Sequence, residues 1–136
     1  MRQHKLVWFA IVAFLLAAAA SAREDKLTNT GMAPAAQGKV ITSTDRNGNT
    51  DVEVQVKHVA TPQSLTPPHQ TYLVWVQPRG KEAELLGALR VNEDLEGSLK
   101  ATTTYKDFDV LVTAEDSIKE AAPSGNVILK GTVERK

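Results

Sequence analysis

The chain of 136 residues contains no cysteine, and this absence excludes more than any other single feature. Disulfide staples, thiolate zinc sites, iron–sulfur clusters and thiol catalysis are all ruled out. An excess of charge of either sign is also lacking, since 16 basic residues balance 16 acidic ones. A near-neutral, mixed surface carries no electrostatic footprint for nucleic acid or anionic lipid. No Gly-x-Ser-x-Gly nucleophile elbow is present, and no glycine-rich loop of the kind that cradles phosphate. Gly80, Gly87 and Gly97 are scattered turn or packing glycines. The chain has no internal repeat and no segment with a convincing helical period.

What is present begins with a leader. Arg2 and Lys5 form a short positive region, an apolar run follows from Leu6 to Ala20, and Ala20-Ser21-Ala22 gives the small-x-small pattern of a cleavage site. The run is shorter than the roughly 20 residues a spanning helix needs. Residues 1–22 are therefore expected to be a secretory signal peptide, which makes the protein periplasmic or secreted; an uncleaved N-terminal anchor is the alternative. Removing Arg2 and Lys5 leaves 14 basic against 16 acidic residues, a net charge of −2. The remaining 114 residues suit one domain, large enough to bury roughly two-thirds of its unfolded surface. Residues 23–38, small and polar with Gly31, Pro34 and Gly38, show no period of 2 or 3.6 and predict a flexible tether.

The domain is expected over 39–136, organised around Thr71 to Pro78 (TYLVWVQP). This apolar, β-branched and aromatic run ends at Pro78-Arg79-Gly80 and predicts a strand buried on both faces. Before it, Lys39 to Thr44 and Asp51 to Val59 flank Asn47-Gly48, a type I′ hairpin signal, with Val52, Val54 and Val56 alternating inward. The proline-bearing connection Thr61 to Gln70 offers a crossing from one sheet to another. After it, strands are predicted over Glu84 to Val91, Ser98 to Thr104, Phe108 to Glu115 and Asn126 to Val133. Seven short strands with turns between them predict an all-β fold, a seven-stranded antiparallel immunoglobulin-like β-sandwich with Trp75 in its core. Tyr105, just before the sixth strand, is a candidate tyrosine corner or an exposed turn residue.

Three groups of residues are candidates for chemistry. Asp45 to Asp51 sets oxygen side chains at alternate positions, as calcium loops do. However, an EF-hand loop needs Gly at its sixth position and Glu at its twelfth, where Thr50 and Val56 stand. A solvated hairpin turn is the expectation. His58 and His69 are two histidines where a metal site usually wants three or more ligands, and both are expected at the surface. Glu115-Asp116 is an acidic pair whose members point to opposite faces of a strand, expected as a solvated strand end. No catalytic, cofactor-binding or metal residues are assigned, and no cofactor.

Tyr72-Leu73-Val74-Trp75, Leu86-Gly87-Ala88-Leu89, Phe108 with Val112-Thr113-Ala114-Glu115, Pro123-Ser124-Gly125 and Lys130-Gly131 occur in an order and spacing that resemble the extracytoplasmic C-terminal domain of bacterial anti-sigma-K factors. The resemblance covers residues 72–131. Such proteins carry a sigma-binding region and a spanning helix ahead of this domain, where this sequence has a leader and a tether. The resemblance implies an outer sensing or interaction module without the cytoplasmic output. The expected function is an exported non-enzymatic binding module with an unknown protein or envelope ligand as partner. A small secreted hydrolase and an assembly subunit pairing through edge strands are the alternatives.

Overall fold

A computed structural model describes residues 22–134; the expected leader lies outside the described residues except for Ala22. The fold is all-β, with eight strands and a single turn of 3-10 helix at Pro62–Ser64. The strands are β1 (Arg23–Asn29), β2 (Gln37–Thr44), β3 (Thr50–Lys57), β4 (Thr71–Pro78), β5 (Glu84–Leu89), β6 (Gly97–Thr103), β7 (Asp107–Glu115) and β8 (Val127–Glu134). All pairings are antiparallel, in the order β5-β4-β7-β8-β1-β2-β3-β6. The terminal strands β5 and β6 pack against one another without a ladder, so the sheet nearly closes on itself.

The seven expected strands are all present, and the eighth corrects the expected tether. Arg23–Asn29 has only one buried apolar residue, Leu27, and so lacks the alternation that marks a strand. It is a strand because its backbone completes the sheet between two neighbours. Residues 23–27 pair with β2 and Thr28 and Asn29 pair with β8, so β1 joins the two halves of the fold. Gly38 and Gly131 make the slot for Leu27: a Cβ on Gly131 would stand 2.7 Å from the Leu27 side chain, and one on Gly38 would stand 3.0 Å from it.

β4 is buried on both faces, as expected. Tyr72, Val74 and Val76 face the main core, with Val110, Val112 and Ala114 of β7 and Val40, Val52 and Val54 of the opposite half. Trp75 is only 1% exposed, but it does not lie in that core. Side chains alternate across a strand, so Leu73 and Trp75 project from the other face, where they cluster with Leu111; Ala83, Ala88 and Val127 pack against them. The indole Nε1–H donates to Thr113 Oγ1 at 2.9 Å, which satisfies the ring's one polar group. Tyr105 is not a tyrosine corner. Its hydroxyl donates to Glu84 Oε1 at 3.3 Å, on another strand, and Lys81 Nζ lies 5.3 Å from its ring centroid.

The turn between β2 and β3 also differs from expectation. A type I′ turn needs positive φ at both central residues, and here Gly48 alone has it. Five residues span the turn, held by Asp45 Oδ1, which accepts from the backbone N–H of Asn47 at 2.8 Å and Asn49 at 2.9 Å. That carboxylate oxygen is occupied by the chain itself.

Candidate functional site

The strand registers sort the connections into two ends. The pairs Tyr72 with Ala114 and Leu89, and Val56 with Gly97 and Gly38, place the connections 30–36, 58–70, 90–96 and 116–126 together at one end. The shorter turns at 45–49, 79–83 and 104–106 lie at the other end, where β1 starts and β8 finishes. Long connections on a strand scaffold are where binding residues concentrate.

These long loops are fastened by specific hydrogen bonds. Asn29 Nδ2 donates to the carbonyls of Ala33, Pro34 and Ala36 at 2.7, 3.1 and 3.0 Å, while its Oδ1 accepts from Gly31 N–H at 2.7 Å. Asn92 Oδ1 accepts from the N–H groups of Asp94 and Glu96 at 2.9 and 3.0 Å. Tyr72 reaches out of the core to donate its hydroxyl to Ala60 O at 2.6 Å, and burial pushes the phenol up to about 12. Between loops, Val59 N–H donates to Leu95 O at 3.1 Å and Gln70 N–H to Glu115 O at 3.0 Å.

His69 corrects the expectation of a surface histidine. It is only 8% exposed, and its Nδ1 lies 3.1 Å from Asp116 Oδ1, linking the 58–70 loop to the 116–126 loop. A carboxylate oxygen accepts, so Nδ1 donates, and the buried Nε2 has no hydrogen-bond partner among the described residues. Glu115, expected at a solvated strand end, is 4% exposed and accepts from Ser124 N–H at 2.9 Å. Asp116 lies just past the end of β7, and the two carboxylates take different partners, Ser124 N–H for Glu115 and His69 for Asp116. His58 is exposed in left-handed backbone at φ 57 and has no part in it.

An aspartate–histidine pair is two-thirds of the constellation that activates a hydroxyl nucleophile. Four hydroxyls of these two loops make local hydrogen bonds. Ser64 Oγ lies 2.8 Å from Thr61 Oγ1, Ser117 Oγ accepts from Lys119 N–H, and Ser124 Oγ accepts from Asn126 N–H. A general base must reach the proton it removes, and Nε2 is sealed from solvent with no hydroxyl bonded to it. The pair as arranged joins two loops. Among the described residues no group of three or more His, Asp or Glu side chains is placed to hold a metal ion.

Two of the three exposed large apolar side chains among the described residues lie in these loops, Leu95 at 41% and Ile118 at 60% exposure. The sequence alone did not single out Asn29, Asn92, Leu95 or Ile118. Asn92 to Gly97 reads as a turn in the sequence, but which backbone groups the Asn92 amide holds does not.

No family model matches the chain, and no curated protein is significantly similar to it.

Proposed function

We propose that the protein is an exported binding module that recognises a protein or envelope ligand through its long-loop end. The observation that carries this reading is the junction of the 58–70 and 116–126 loops through His69 and Asp116, at the same end of the fold as the exposed side chains of Leu95 and Ile118. Loops held in place by hydrogen bonds lose little conformational freedom on binding, and exposed apolar side chains on such loops supply contact area.

The strand order supports an immunoglobulin-like reading of β2 to β8 in which β1 is an addition. Taken in chain order, the first, second and fifth of these seven strands pair in one half, and the third, sixth and seventh in the other, as in that family of sandwiches. The fourth, β5, pairs with the third rather than the fifth, which departs from the antibody constant arrangement. The likeness to the outer domain of anti-sigma-K factors belongs to the same proposal, with export to the periplasm or beyond and no catalytic role. The edges of β5 and β6 pack against one another but carry no ladder, and on that ground favour the second reading, assembly by strand addition.

The test is affinity capture from envelope extract with the wild type and with a Leu95→Asp/Ile118→Asp variant, each checked for folding by circular dichroism. The folded variant is expected to lose the partners that the wild type captures. Retention of the same partners by the folded variant would move recognition away from the loop end and towards the strand edges.

A further inference from the structure

The largest cavity lies on the outer face of the β1-β2-β3-β6 half, a groove of about 1030 Å³ at the upper end of the range for ligand clefts. Its floor is read from the strand register. Lys26 stands opposite Lys39, Lys39 opposite Gln55 and Gln55 opposite Ser98, with Lys57 beside Gln37 in the next row. Arg90 closes one side. It is held there by Gly97, where any Cβ would come within 2.4 Å of the Arg90 carbonyl oxygen, so only glycine lets the two backbones lie this close.

Four cations and two carboxylates line the groove. Lys39 is neutralised by Glu24 at 2.8 Å. Lys26, Lys57 and Arg90 are exposed and make no ion pair among the described residues, against the single remaining carboxylate of Glu96. The groove is thus locally positive on a chain whose remaining surface leans acidic. The side chain of Gln37 adds donors and an acceptor, the complement of a peptide group; Gln55 donates through Nε2 to Glu53 Oε2 at 2.9 Å and adds its amide oxygen and its second N–H. The lining includes no aromatic ring on which a base or a sugar would stack.

We propose that this groove binds an acidic peptide segment, its carboxylates on Lys26, Lys57 and Arg90 and its backbone on the glutamine amides. The site lies on a sheet face and reaches the 90–96 connection at the long-loop end, but its lining includes neither Leu95 nor Ile118. Lys26 on β1 and Lys57 on β3 are two inter-strand spacings apart, about 9.6 Å, against about 6.6 Å between alternate residues of an extended peptide, a difference that long, flexible lysine side chains span.

The test uses the full chain and a fluorescein-labelled hexaglutamate peptide, read by fluorescence anisotropy at low ionic strength. Saturable binding is expected, weakening about tenfold or more in Lys57→Glu/Arg90→Glu and less in Lys57→Gln/Arg90→Gln. Lys106→Glu, in a turn at the opposite end, should leave it unchanged. Absence of binding, or equal binding by the charge-reversed variant with its circular dichroism intact, would overturn the proposal. So would tighter retention on phosphatidylserine vesicles or on a sulfated oligosaccharide than on the peptide, since each would identify a different class of occupant.

Discussion

Single side chains show how polar groups decide where large residues go in this fold. Trp75 and Tyr72 lie three apart on one strand and project from opposite faces, each with its polar atom satisfied, by Thr113 in one case and by the Ala60 carbonyl in the other. Trp75→Ala should cost about 3–5 kcal/mol, the usual range for emptying a buried aromatic site. In a Trp8→Phe chain, where Trp75 is the sole tryptophan, the native emission should be blue-shifted and resistant to quenching; red, freely quenched emission would mean an exposed ring. Tyr72 makes a prediction in pH. Its folded value of about 12 stands above the ordinary value of 10, so the neutral phenol is favoured by folding. That contribution is complete below about pH 10 and is lost as pH rises towards 12. Denaturant titrations should show stability falling across this window in the wild type and less steeply in Tyr72→Phe. The variant itself should be less stable at neutral pH by roughly 0.5–1.5 kcal/mol for the lost hydrogen bond.

At the scale of elements, β1 and the β5–β6 connection depend on contacts that glycines permit. Gly97→Ala places a Cβ against a backbone carbonyl that no rotamer change can move, so it should destabilise by about 1–3 kcal/mol and shift Arg90. Chemical denaturation would report the first effect, and weakened hexaglutamate binding the second. Strands with alternating valines, such as β3, and the apolar run of β4 were legible in the sequence because their burial pattern is written in their own residues. β1 was not, because its place in the sheet comes from partners some 15 and 100 residues away. Burial of His69 was illegible for the same reason. A proline-rich loop gives no period, and the ring meets Asp116 from 47 residues away in the chain. The face taken by Trp75 was set by strand parity, which the sequence shows only once one neighbour's facing is known.

For the whole molecule, the two ends have different characters. The chain enters at Arg23 and leaves at Glu134 at the short-turn end, where the Arg23 side chain donates to the Glu134 carbonyl. The long loops with Leu95 and Ile118 lie at the far end. A domain held from its N-terminus, by a retained leader or by another protein, would therefore present its loops outward. Site-specific photo-crosslinking in native envelope tests this most directly, with one photoreactive residue at Ile118 and, separately, one at Asn47 in the opposite turn. A discrete crosslinked product is expected from position 118, lost on Leu95→Asp, and none from position 47. A product from position 47 alone, with position 118 silent, would contradict it.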